Sequence, residues 1–165
     1  MSFRSVNEIE KFSFEDCVVR TISQEETGLR LELEALIVRP DNSQNTNYTE
    51  SYAGPTTAHL QNGRVLRVVK EGYRYLDADD NPVEEVADKE LSRQEAEVFL
   101  KACQEYYLFC MERVKEEDGV FTYAVGIEVP AQEVYDTTPT DTYRLEVCFT
   151  RAEFVWQLYL NRVQR

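Results

Sequence analysis

The sequence is short of the groups that do chemistry. It has one histidine, His59, in 165 residues. Its four cysteines (Cys17, Cys103, Cys110, Cys148) stand far apart, with no C-x-x-C pair. A zinc site wants closely spaced ligand pairs, and a disulfide framework wants a secreted, cysteine-dense chain. Neither is expected, and the thiols read as small apolar fillers. The six glycines (28, 54, 63, 72, 119, 126) form neither G-x-G-x-x-G nor G-x-x-x-x-G-K. Nucleotide binding through those phosphate loops is therefore not expected. There is no G-x-S-x-G, and a Cys/His nucleophile would have to use His59 with Cys17 or Cys148 and no supporting local motif. We expect no catalytic residues, no metal and no cofactor.

Positive charge is also scarce. Eighteen Lys and Arg face 31 Asp and Glu, a net charge of -13. That balance disfavours nucleic-acid backbones and anionic membranes. It favours a basic protein partner. No run approaches the roughly 20 apolar residues of a membrane span. The start, "MSFRSVNEIEKFSFED", has no apolar stretch behind a basic one, so no secretory signal is expected and we read a cytoplasmic protein.

What is present is a globular composition, 42% hydrophobic and 12% aromatic. A chain of this length buries roughly 70% of its unfolded surface, enough for one domain over residues 1–165. Charge is uneven. Residues 84–118 hold eleven acids against five bases, and residues 64–74 hold four bases against one acid.

The pattern predicts many strands. In "LRLELEALIV", Leu29, Leu31, Leu33, Ala35 and Ile37 alternate with Arg30, Glu32 and Glu34, a period of two. "CVVRTIS" precedes it, and Gly28 suits the turn of a hairpin between them. Asn62-Gly63 in "LQNGRV" predicts a type I′ hairpin. "YRYL" and "VEEVA", split by "DADDNP", predict another. "VFTYAVGIEV" and "YRLEVCF" alternate likewise, joined by a loop in "PAQEVYDTTPTD".

The pattern also predicts one long helix. Ser92 and Glu95 form a capping box, and Ala96, Phe99, Cys103, Tyr107, Cys110 and Val114 recur at three- and four-residue steps up to Gly119. Such a helix would have about 24 residues and a length of about 36 Å. The last stretch, "TRAEFVWQLYLNRVQR", fits both periods. Thr150 and Glu153 as a second capping box favour a short C-terminal helix, whereas Phe154, Trp156, Leu158 and Leu160 alternate as in a strand. The fold class expected is α+β, a mainly antiparallel curved sheet or partial barrel packed against one long α-helix.

"DADDNPVEEVAD" resembles a calcium loop, with Asp77, Asp79, Asn81 and Asp88 at ligand positions. Pro82 occupies the place of the loop's glycine and cannot take its positive φ. Asp, Asn and Pro also make turns, and the turn reading is preferred. Glu32 and Glu34 are what any solvated strand face carries. "PDNSQNTNYTESYAGP" reads as a long surface loop bearing Tyr48 and Tyr52. These tyrosines suit a partner interface. The alternative is a loop folded back over the sheet.

Two functions follow as expectations. One is a non-catalytic protein-interaction module that uses this loop and an acidic face. The other is a small-ligand-binding domain, or an enzyme with no visible motif, whose pocket lies between the sheet and the long helix. Tyr107, Tyr123 and Tyr143 with Phe99 would line that pocket. It requires a cavity of about 300 Å³ or more.

Overall fold

A computed structural model describes residues 2–130 and 141–164. The strands in chain order are β1 (Phe3–Val6), β2 (Phe12–Ser13), β3 (Val18–Glu25), β4 (Gly28–Glu34) and β5 (Ile37–Val38). Then come β6 (Ser51–Ala53), β7 (Thr56–Gln61), β8 (Arg64–Lys70), β9 (Tyr73–Leu76), β10 (Pro82–Val86) and β11 (Lys89–Glu90). One α-helix, α1 (Arg93–Ala102), precedes β12 (Tyr106–Glu117), β13 (Val120–Glu128), β14 (Thr142–Phe149), β15 (Arg151–Trp156) and β16 (Tyr159–Arg162). The protein is mostly antiparallel strand. The loop expected between β13 and β14 falls largely on residues outside those described.

Ten strands form one sheet in the order β1-β15-β7-β4-β3-β12-β13-β14-β8-β11. The ladder does not close, since β1 and β11 remain its edges. The chain nevertheless forces it to curl. β7 is third and β8 ninth in that order, yet only Asn62 and Gly63 join them. Six flat spacings at about 4.8 Å would need about 29 Å, and a two-residue link reaches about 11 Å. Thr150 alone imposes the same constraint between β14 and β15. The sheet therefore folds back, with Leu33, Leu60, Leu108, Ile127, Leu145, Phe154 and Trp156 in the core it encloses.

The hairpin expected at Asn62-Gly63 is thus a corner. Asn62 has φ 55°, while Gly63 lacks the positive φ of a type I′ turn. Asn62 N–H bonds Thr27 O, and β7 and β8 pair with different neighbours. The expected β3–β4 hairpin does form, with Leu29, Leu31 and Leu33 buried. β9 and β10 also pair, as do β13 and β14.

The long helix is not there. The Ser92–Glu95 capping box forms as the sequence predicts, but α1 ends at Ala102. Glu105, at φ 62°, breaks the direction, and residues 106–117 are strand β12. The misreading has a physical cause. β12 carries bulges between Leu108 and Cys110 and between Arg113 and Lys115. Each bulge adds a residue to a period of two, so buried Leu108 and Met111 fall three apart, as on a helix. The expected end at Gly119 is instead a hairpin turn, Asp118 at φ 51° and Gly119 at φ 77°, the type I′ pair.

The C-terminal helix is also a strand. Ala152, Phe154 and Trp156 alternate into the core, and β15 is paired on both sides, by β1 and β7. Thr150 makes no helix cap. Its hydroxyl donates to Gln61 O and accepts from Asn62 Nδ2.

A smaller sheet, β16-β6-β5-β2, holds down the polar stretch at residues 40–55. Asn45 is buried and its side-chain amide donates to Val38 O, Arg39 O and Thr49 O. Asn42 Nδ2 donates to Ser5 Oγ and Gln44 Oε1 accepts from Arg4 N–H, which lays the loop against β1. Among the described residues no helix is long and apolar enough to cross a membrane.

Candidate functional site

The five tyrosines singled out in the sequence do not converge. Tyr123 is buried on β13, where its hydroxyl donates to Glu10 Oε1 at 2.6 Å and accepts from Arg113 Nε at 3.4 Å. Burial, then the Glu10 carboxylate, pushes that phenol up. Tyr143 stacks on Phe99 at 4.1 Å, which ties β14 to α1. Tyr107 lies half-exposed on β12 rather than on a helix. Tyr52, on β6, donates to Asp16 Oδ2 at 2.6 Å. Only Tyr48 stands clear, 91% exposed at the loop's tip with φ 58°.

Among the described residues no nucleophile is poised. His59 Nε2 is hydrogen-bonded to Thr27 Oγ1 at 3.0 Å. Burial pushes the Cys17 and Cys103 thiols up to about 12. Such thiols stay protonated and inert near neutral pH. Glu32 accepts from Arg30 Nε at 2.7 Å and from the Thr57 hydroxyl, while Glu34 pairs with Arg20. These carboxylates are occupied on the outer face of the sheet.

The acidic motif is a turn. Asp77 Oδ1 accepts from Asp79 N–H and Asn81 N–H, both at 2.9 Å. Those amides, Asn81 first, hold its carboxyl below the usual range. Asp88, the last ligand position, accepts from Gly72 N–H at 2.7 Å. Among the described residues no cluster of three His, Cys, Asp or Glu could hold a metal.

What the turn closes is an arm. Among the described residues β9 and β10 pair only with each other, and every residue of both strands is exposed. Tyr73 and Tyr75 meet edge to face at 5.1 Å, and Tyr73 donates to Glu84. Leu76, Val83 and Val86 also face water, Val83 at 69%. Residues 73–88 hold six acids (Asp77, Asp79, Asp80, Glu84, Glu85, Asp88) against one base, Arg74. The arm is at once apolar, aromatic and strongly negative. A lone two-stranded ribbon is marginal in water, so such an arm gains most from something to lie against.

The second feature is a groove of about 590 Å³ between β8 and α1. Arg64, Arg67 and Arg93 line it together with Leu66, Ala96 and Leu100. Arg67 Nε donates to Glu146 at 2.9 Å, and Arg93 lies 3.6 Å from Glu97. Arg64 has only the sulfur of Cys148, 3.5 Å from its Nε, and no carboxylate among the described residues.

Sequence reasoning missed both features as sites. The base-rich stretch at residues 64–74 was the available signal for the groove. The arm was legible as a hairpin, but its exposure depends on where the body ends. No family model, no curated protein and no solved structure matches the chain.

Proposed function

We propose that the protein is a non-catalytic interaction module that presents the β9–β10 arm to a basic surface on a partner protein. One observation carries this reading: the arm exposes Tyr73, Tyr75, Leu76, Val83 and Val86 amid six carboxylates. Tyrosines supply contact area at low entropic cost. The carboxylates speed encounter with a cationic surface and set the orientation. In the pinned stretch at residues 40–55 Tyr48 is the exposed aromatic, so the contact is assigned to the arm and not to that loop.

The test is a comparison of two baits in extract from the source cell. One is the whole chain. In the other, residues 73–86 are replaced by a short Gly-Asn-Gly turn. The expected result is one stoichiometric partner with a basic surface, held by the whole chain and lost from the armless one. With purified partner, affinity should fall as salt rises. Equal retention by both baits defeats the proposal.

A second reading, a small-ligand-binding domain, is favoured by the groove, which exceeds the 300 Å³ that such a site needs. Its lining mixes Arg64, Arg67 and Arg93 with Glu90, Glu97 and aliphatic groups, and holds none of the tyrosines first expected.

A further inference from the structure

The two edges of the ten-stranded sheet are treated differently. At β1 the polar loop lies over the edge, through Arg4 N–H on Gln44 and Ser5 on Asn42. At the other end β11 covers β8 only at Val69 and Lys70, and Leu91 N–H closes on Val68 O. Along residues 64–67, β8 has β14 on one side and no strand on the other among the described residues. An edge left open in this way is a template for another chain. Here the groove, not bulk solvent, faces it. α1 supplies the far wall with Arg93, Ala96, Glu97 and Leu100, positions spaced along one helical face.

We infer that this groove takes an extended acidic peptide, which adds to β8 as a further strand beneath α1. The shape suits a strand, which needs about 4.8 Å beside its neighbour and about 3.4 Å per residue. Four residues of free edge therefore offer about 13 Å of ladder. The charge favours acid at one end: Arg64, Arg67 and Arg93 line the groove against Glu90 and Glu97, and while Arg67 holds Glu146 and Arg93 lies beside Glu97, Arg64 has no carboxylate partner among the described residues. Leu66, Ala96 and Leu100 provide apolar contacts. Alternating side chains let one segment place carboxylates toward the arginines and aliphatic groups toward the leucines. Main-chain bonds to the edge supply affinity that a small anion cannot obtain.

The probe is acetyl-Val-Glu-Val-Glu-Val-amide, labelled with a fluorophore and titrated into the full chain. Saturable binding is expected, with slowed hydrogen exchange at those amides of residues 64–67 that face the groove and not β14. Arg64→Glu should weaken it about tenfold or more, since an ionic hydrogen bond becomes a repulsion. Ala96→Trp, which fills the groove from the helix side, should weaken it without touching charge. A peptide N-methylated at alternate amides should lose binding. Unchanged melting of both protein variants shows that they are folded. No binding up to millimolar peptide overturns the inference. So does equal binding of the N-methylated peptide, which removes strand addition. Competition by free glutarate at the same concentration also overturns it, by assigning the groove to small anions. The arm lies outside the groove, so its failure and this one are read separately.

Discussion

Two hairpins of this protein have the same backbone design and opposite fates. β3 and β4 pair in antiparallel register, and β4 is flanked again by β7. Leu29, Leu31 and Leu33 are buried beneath it. β9 and β10 pair in the same sense, yet among the described residues no third strand joins them and no residue of either is buried. The ladder hydrogen bonds are equivalent, so they do not make the difference. A bond exchanged with water contributes only about 1 kcal/mol net, whereas each buried leucine adds roughly 2 kcal/mol. One hairpin is framework. The other is surface, and its apolar side chains face water.

The sharpest way to break that comparison is to truncate one apolar residue in each. Leu33→Ala on β4 should cost about 3 kcal/mol of unfolding free energy, because the site is enclosed and relaxes poorly. Tyr75→Ala on the arm should cost about 0.5 kcal/mol or less. Denaturant unfolding of both variants measures the pair. Equal losses would mean that the arm packs on the body after all.

A subtler pair uses glycine. A Cβ at Gly28, which has φ 144°, would lie 2.0 Å from Leu60 O. A Cβ at Gly72, at the arm's base, would lie 1.9 Å from Val86 O. The clashes are alike and the consequences should not be. Gly28→Ala should cost about 2 kcal/mol globally. Gly72→Ala should erase amide protection across residues 73–86 while the unfolding midpoint holds. Native-state hydrogen exchange beside a melting curve separates them.

The same contrast explains what the sequence made legible. Strict alternation marked β4 and β14, because one wet and one dry face leave a period of two. It failed at β12, where two bulges turn that period into steps of three. The capping box at Ser92 and Glu95 located the start of α1 correctly, but nothing local announced its end at Ala102. Asn62-Gly63 promised a hairpin and made a corner, while Asp118-Gly119 was read as a helix stop and is a tight turn. Both dipeptides favour left-handed backbone, and only the partners of the flanking strands decide what is built. The candidate sites were less legible still. Residue spacing placed neither the arm beyond the core nor the open edge of β8 beside α1, since both are properties of the assembled sheet.

Alkali should act on the body through its buried thiols. Burial pushes Cys17, just before β3, and Cys103, at the end of α1, up from 9.0 to about 12. Unfolded thiols therefore ionise while folded ones do not. Their contribution is complete below about pH 9 and is lost as pH rises toward 12. The loss should approach about 1.4 kcal/mol per pH unit for each thiol. Cys17→Ala and Cys103→Ala should flatten that slope in urea titrations across the window. Residues 73–88 contain no cysteine, so any alkaline dependence of arm protection should trace to Tyr73, whose phenol is pushed up by desolvation and then by Glu84.

Acid should reach the body too, through Glu8 and Glu95, which are also held low, but at the arm's tip its effect is smallest and most local. Asp77 Oδ1 gathers the Asp79 and Asn81 amides at the arm's tip, and these hold its carboxyl below 3.8. A carboxyl lowered by folding stabilises above its unfolded value, and that help fades as pH falls through its folded value. The amide shifts of Asp79 and Asn81 should therefore move together below pH 3.8. Asp77→Asn keeps an acceptor oxygen that can make the same turn but carries no charge. It should keep the tip's shape and lose the pH response, while Asp77→Ala should lose both. If Asp77→Asn frays the tip as badly as Asp77→Ala, the negative charge and not the turn geometry organises the arm. A basic partner would then be expected to loosen that tip by competing for the charge.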